Sequence, residues 1–338
     1  MIFDISCIIP IYNSYKTLLR CVLSVYTQKA NKTIILIDDG AYDQSGKECD
    51  KLSMVADSIL VLHKFNEGVA YARRDGFELA NSEWLTCLDA DDMLPSSAYR
   101  ILQTIANKTN VDIVKGCSLM CSEDSIQKTL EWIEYANLKK MYIEEFQIQK
   151  NKNDIQKSFF RSKQGFLVLY MFNKRIYKDI VTLDLRYGED TLIAYQLCEN
   201  ASTMATCEST TYLNIVNNQS ATKQKYTRRR FDNFVAMDFI VDRLAYCTSY
   251  AIKKSIYYYY LNMIIFNIRD AIALDGQVYV RELWMKYRLV FLKYMSLRSK
   301  VFSIDTLRFT SFLLFPKLYI TILSQRMSMA TDRNSKHA

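Results

Sequence analysis

Three short acidic clusters hold the side chains best suited to chemistry: Asp38-Asp39-Gly40, Asp89-Ala90-Asp91-Asp92, and Glu189-Asp190 directly behind Gly188. In the second, carboxylates one residue apart repel unless a cation or hydrogen-bond donors lie between them. Mg2+ and Mn2+ accept such a pair, taking one or two carboxylates and filling the shell with phosphate oxygens. In the first, a carboxylate behind a buried strand can accept hydrogen bonds from a uracil N–H or from ribose hydroxyls, and Gly40 permits the sharp turn this needs. In the third, an acid aimed into a site can act as the general base that attack by a hydroxyl requires. Each also has a purely structural reading: an acidic turn ahead of a helix near Ser96, an Asp-Gly turn, and acids that complement a helix dipole.

Elements must bring these clusters together. The run DISCIIPIYN predicts a buried strand and a loop from Pro10, with Ser14 placed to cap a helix whose Leu18, Leu19, Val22, Val25 and Tyr26 fall at helical spacing. TIILIDDG predicts a second strand ending in the first cluster, SILVLHKF a third, GVAYARRDGFELA a helix, and EWLTCLDADD a fourth strand ending in the second cluster. Strand–helix alternation with apolar strands predicts a parallel sheet covered on both faces, with ligands outside the C-terminal strand ends. Along the fourth strand, Asp89 and Asp91 point to the same side. Beyond Lys115 the alternation fades. Residues 122–160 read as helical and charged, and 166–222 as short apolar segments that include a helix behind Gly188 with Leu192, Ile193 and Leu197 inward. From Tyr226 the chain reads as helical, aromatic and basic.

Half of the 338 residues are hydrophobic, enough for a full core, and the 8 glycines and 3 prolines argue against a turn-rich all-β protein. Nine cysteines without a C-x-x-C pair and two histidines (His63 and His337) offer no zinc site, so single buried thiols are expected. The longest uncharged apolar stretch, Ser255 to Ile268, is shorter than the ~20 residues of a membrane span, and no secretory leader is visible. A cytoplasmic chain that does not cross a membrane is expected. Charge is uneven: residues 1–222 carry 24 Lys+Arg against 28 Asp+Glu, while residues 223–338 carry 20 against 8. The division predicted is therefore a domain over 1–222 and a basic, amphipathic helical region over 223–338.

In order and spacing, the segments IIPIYN, IDDGAYDQS, NEGVAYARRDG, LDADD and GEDTL resemble those of family 2 glycosyltransferases, across residues 5–222. The resemblance implies an α/β, Rossmann-like GT-A fold and an inverting transfer of sugar from a nucleotide-sugar donor, with Mn2+ or Mg2+ as cofactor. It implies that Pro10, Tyr12 and Asn13 line the nucleotide pocket, that Asp38 and Asp39 belong to it with Asp39 on the uracil ring, and that Arg73 lies against that ring. Asp89 would contact ribose or donor sugar, Asp91 would ligate the metal, and Asp190, with Glu189 beside it, would be the catalytic base. The segment with Lys174 also resembles the family's stretch ahead of the Glu-Asp pair. One departure stands out: where many relatives carry Tyr-Arg and often a histidine before a serine, this chain has TTYLNIVNNQSAT, with Asn214 or Ile215 near the arginine position and Ser220, Lys223 and Lys225 following.

The last third opens with a basic run, Lys223 to Arg230. A basic amphipathic region predicts contact with an anionic membrane surface, suited to a polyprenyl-linked saccharide acceptor, or packing in a homo-oligomer. No helix-turn-helix, RNA platform or zinc module accompanies it, so nucleic acid is not expected as a partner. A sugar-nucleotide pyrophosphorylase needs a glycine-rich phosphate loop, and PIYNSYKT has no glycine. A catalytically inactive binding subunit is favoured only by the missing arginine.

Overall fold

The computed structural model describes residues 4–143, 146–161, 165–216, 225–243, 249–297 and 304–314. These form two compact units: residues up to 216 together with Asp232–Ala236, and residues 225–231 together with those from 237 onward.

The first unit is built on an eight-stranded sheet in the order β3-β2-β1-β4-β7-β5-β8-β6. Strands β1 (Ile5–Ile11), β2 (Lys32–Asp39), β3 (Ile59–Lys64) and β4 (Trp84–Cys87) are mutually parallel, linked by α1 (Tyr15–Tyr26), α2 (Ser45–Val55) and α3 (Val69–Leu79). All seven residues of β1 are buried, as expected of a strand flanked and covered by other elements. The far half of the sheet, where the alternation in the sequence fades, is mixed. After α4 (Ala98–Thr109) come β5 (Ile113–Ser122), α5 (Ile126–Ile143), β6 (Phe146–Gln149), α6 (Lys152–Arg161), β7 (Tyr170–Asn173), α7 (Glu189–Asn200) and β8 (Met204–Val216). Strand β7 runs antiparallel to β4 and β5, β5 runs parallel to β8, and β6 closes the edge antiparallel to β8. Residues 122–160 are accordingly two helices interrupted by a strand. Between β5 and β8 the register shifts around Cys117, so Cys117 faces Thr210 but Ser118 faces Tyr212.

Local details also differ from the sequence reading. Strand β1 continues through Pro10 to Ile11, three residues beyond its last pairing with β4 at Ile8 and Cys87. Strand β4 stops at Cys87, so Asp89 and Asp91 occupy a turn and not one face of a strand. Ser14 sits at the N-cap of α1 without capping it. Its hydroxyl donates to Tyr12 O at 3.2 Å, and the Tyr15 N–H donates to Asp43 Oδ2 at 3.2 Å. In α1, Leu18, Val22 and Val25 are buried with Cys21, while Leu19 and Tyr26 are exposed. Leu192, Ile193 and Leu197 of α7 are buried as expected.

In the second unit α8 (Asp232–Arg243), which begins in the first, is followed by α9 (Tyr250–Ala273), α10 (Gln277–Ser296) and α11 (Ile304–Leu314). Tyr287 of α10 donates to Phe309 O at 2.8 Å, and its ring packs edge-on against Phe312. Eight described cysteines are free thiols, all buried except Cys117. Among the described residues no helix is long and apolar enough to cross a membrane. Ser220, Lys223 and His337 lie outside the described residues.

Candidate active site

The parallel strands deliver their C-terminal ends to one edge, and the acidic clusters sit there. Past β4 the chain folds into a turn closed by the Asp92 N–H donating to Asp89 O at 3.0 Å. Asp92 is buried and anchors that turn to β8. Its Oδ2 accepts from Tyr212 Oη (2.5 Å) and Asn214 Nδ2 (3.0 Å), and its Oδ1 accepts from the Ile215 N–H (2.7 Å). Met93 and Leu213 bond backbone to backbone in both directions beside it. Burial, then the neighbouring Asp91 charge, push the Asp92 carboxyl up to about 7. Asn214, where the sequence lacks the family's arginine, therefore serves this clamp.

Clamping Asp92 leaves Asp89 and Asp91 as the carboxylates of the turn. The Asp91 carboxyl is raised by burial and then by Asp89, which is the condition a divalent cation relieves. Arg20 of α1 steadies the same turn, donating to Asp91 O at 3.1 Å while pairing with Glu123 at 2.9 Å. No cluster of three or more His, Cys, Asp or Glu able to hold a metal occurs among the described residues. A carboxylate pair instead suits Mg2+ or Mn2+ shared with phosphate oxygens.

Arg73 of α3 joins this turn to α7. Its buried guanidinium donates to Asp89 Oδ1 at 2.8 Å and to Glu189 Oε1 at 2.6 Å. Burial opposes the Arg73 charge, but the Asp89 and Glu189 carboxylates outweigh it and hold the guanidinium firmly protonated. Burial pushes the Glu189 carboxyl up to about 7, with Arg73 pulling it back. Gly188 makes the entry to α7 with φ 84°, and a Cβ there would lie 3.0 Å from Asn233 Oδ1. Asp190 follows. Its carboxyl is raised by burial against the pull of Arg73, and its Oδ1 accepts from the Thr191 N–H at 2.7 Å. Among the described residues no hydrogen bond reaches Asp190 Oδ2, which leaves that oxygen able to take a proton.

The nucleotide side centres on β2. Both oxygens of the buried Asp39 accept backbone N–H groups, from Glu67 at 2.9 Å and Gly68 at 2.8 Å, and so tie the loop ahead of α3 to the end of β2. Gly40 lies under the same loop with φ 69°, and a Cβ there would come within 2.7 Å of Asn66 N. Asp38 accepts from the Ala41 N–H and bonds His63 Nδ1 at 2.8 Å, while His63 Nε2 reaches Asp50 at 3.0 Å. Asn13, at φ 53°, accepts the Tyr42 N–H at 3.0 Å, and Tyr12 meets the Tyr42 ring edge-on. Pro10 is buried within β1, paired with Ile37. Lys174 turns away from the acidic turn, its ammonium bonded to Ala80 O.

From sequence, Asp92 stands only as one member of its acidic cluster, and Arg20 and His63 are not singled out for the site. His63 could have been: the pairing of β2 with β3 sets it opposite Asp38. Arg20 carries no such signal, because it meets the turn from a helix 71 residues away.

The family description Glycosyl transferase family 2 matches residues 6–172. Glycosyltransferase GlyG of Streptococcus pneumoniae serotype 4 is 37% identical over 114 residues, 33% of this chain and 38% of that protein. Poly-beta-1,6-N-acetyl-D-glucosamine synthase of Staphylococcus aureus is 29% identical over 136 residues, 40% of this chain and 33% of that protein. These matches span only about a third of each curated relative's length. In fold, the chain is similar to S. aureus TarS 1-349 solved in complex with UDP-GlcNAc, at a TM-score of 0.58 and 16% identity over 89% of this chain and 94% of that one. A GT-A sheet with this order of motifs along its edge, matched by sequence and by fold, gives the assignment: over residues 6–172 the chain belongs to glycosyl transferase family 2.

Proposed function

We propose that the chain is a metal-dependent, inverting glycosyltransferase. It moves a hexose or N-acetylhexosamine from a UDP-sugar onto a saccharide or polyprenyl-linked saccharide in bacterial surface-polysaccharide synthesis, at the cytoplasmic face of the membrane. The observation that carries this reading is the Arg73 bridge, which joins Asp89 at 2.8 Å and Glu189 at 2.6 Å and so holds Asp190 beside the acidic turn. The synthase match supports an N-acetylhexosamine donor.

In this reading Asp190 Oδ2 takes the proton of an acceptor hydroxyl as its oxygen bonds to the anomeric carbon. The bond from that carbon to the diphosphate breaks on the opposite face, and its electron pair leaves with the nucleotide. One displacement inverts the centre. Asp91, with Asp89, would hold Mn2+ or Mg2+, which supplies Lewis-acid neutralisation of the departing diphosphate. Pro10, Tyr12, Asn13, Asp38 and Asp39 would shape the nucleotide pocket. Arg73, committed to two carboxylates, serves by position: it ties Asp89 to Glu189 and sets the first turn of α7.

Melting the protein with UDP, GDP or CDP, each with and without Mn2+, tests this. A ligand at a hundred times its Kd adds about 2.7 kcal/mol, several degrees in Tm. A shift confined to UDP with Mn2+ is expected, followed by turnover of a UDP-sugar. No shift with any nucleotide would return the chain to the inactive-subunit reading.

A further inference from the structure

We infer that the second unit meets an anionic lipid surface through the outer face of α10, and not through the basic run that opens it. The inference rests on the membrane-face location proposed above. The basic run is largely neutralised within its own unit. Lys225 pairs with Asp275 at 2.7 Å, Arg228 pairs with Glu282, and the buried Arg230 pairs with Asp270 at 3.3 Å and lies over the Tyr226 ring. Only Arg229 of residues 225–230 keeps an unpaired charge among the described residues.

The outer face of α10 is different. Val278, Met285, Leu289 and Leu292 recur at helical spacing, with exposures from 50% at Met285 to 83% at Val278. Beside them stand Arg281, Arg288 and Lys293, also exposed and without ion-pair partners among the described residues, while the one acid of this helix, Glu282, lies on the same face with its charge already matched by Arg228. The opposite face fixes this orientation: Leu283, Tyr287, Val290 and Tyr294 are buried, and Lys286 pairs with Asp238 at 2.5 Å. Apolar side chains interleaved with unpaired cations on one helix face match the boundary of a bilayer, where the first enter the acyl layer and the second meet lipid phosphates. The excess of 20 Lys+Arg over 8 Asp+Glu across residues 223–338 adds a long-range attraction of the same sign.

Full-length protein sedimented with vesicles of phosphatidylcholine, alone or mixed with phosphatidylglycerol, tests the assignment. Three variants are compared with wild type: Arg281→Gln/Arg288→Gln/Lys293→Gln, Leu289→Ser/Leu292→Ser, and Arg229→Gln. All these side chains are exposed, so the fold should survive, which circular dichroism checks; the UDP-dependent melting shift reports separately on the donor site. At about fivefold per cation, the triple variant should lose roughly 10²-fold in partition to the anionic vesicles, and Arg229→Gln fivefold at most. The paired leucine variant should weaken binding as well. Wild type that stays in solution, or α10 variants that sediment like wild type, would overturn the inference. So would a dimer in light scattering that the leucine variant disperses, since the face would then belong to a second copy. Loss of vesicle binding with a normal UDP shift leaves the transferase reading intact, and the reverse result sinks that reading alone.

Discussion

Arg73→Met removes the cation that Asp89 and Glu189 share while keeping much of its buried volume. The two carboxylates respond differently. Asp89 has 37% of its side chain exposed and turns to water at a cost of about 1 kcal/mol or less. Glu189 is buried, and its carboxyl, already pushed up to about 7 against the pull of Arg73, must rise further once that pull is gone. A carboxyl whose folded pKa exceeds its unfolded value loses stability as pH climbs toward the folded value. Below pH 7 both proteins keep the Glu189 proton when folded, and their stabilities run in parallel. Above it wild type releases the proton while the variant holds on, at about 1.4 kcal/mol per pH unit. The stability gap should therefore open from ~1 kcal/mol at pH 6 to ~3–4 kcal/mol at pH 9, roughly 10 °C in Tm. Asp190, which also loses the opposing pull of Arg73, moves in the same direction. Calorimetric melts of both proteins across that range read the gap directly. A gap that is flat or narrows toward pH 9 would refute the idea that Arg73 keeps Glu189 ionised.

Asp190→Asn should keep the UDP and Mn2+ melting shift while turnover falls about 10²–10⁴-fold; an unchanged kcat would remove Asp190 as the base. His63→Gln should show the opposite pH trend to Arg73→Met. Hydrogen bonds to Asp38 and then Asp50 raise the His63 pKa, so its contribution is full below about 6.5 and fades as pH rises through the raised value. The same melts should thus find a loss at pH 6 that disappears by pH 9. Tyr212→Phe deletes one of three donors to Asp92 and should cost about 1–2 kcal/mol; it should also weaken the Mn2+-dependent part of the UDP shift, because the acidic turn loosens. A Tm equal to wild type would mean the Tyr212–Asp92 bond carries no stability.

The half of the sheet that builds the nucleotide side was legible because its strands are apolar and alternate with helices. ISCIIPI and KTIILIDD announce themselves as buried strands, and two of the three acidic clusters fall at or just past the end of a strand, which marks even the four-residue β4. In the other half β6 and β7 are as short as β4 but carry no such marker, and the third cluster opens a helix. Candidate site residues could be named where family motifs lie in one segment, but side-chain partnerships could not. The Arg73 bridge spans 16 residues to Asp89 and 116 to Glu189, and only the folded chain brings those atoms within hydrogen-bonding distance. Charge counts misled in a related way. The run at 225–230 looks unpaired in the sequence because its partners, Asp270, Asp275 and Glu282, come 40 or more residues later.

The register shift between β5 and β8 sets the parity of everything beyond it. In a strand, neighbouring side chains alternate faces, so Tyr212 and Asn214 share the side on which Asp92 lies, while Leu213 and Ile215 share the other with the apolar cluster around Ile133. A single residue gained or lost between Thr210 and Tyr212 would exchange these two sets at once. The acidic turn would then meet leucine and isoleucine, and the apolar cluster a phenol and an amide. Length changes along this strand are thus constrained in steps of two: a substitution disturbs one face at one position, whereas a single-residue insertion exchanges both faces at once.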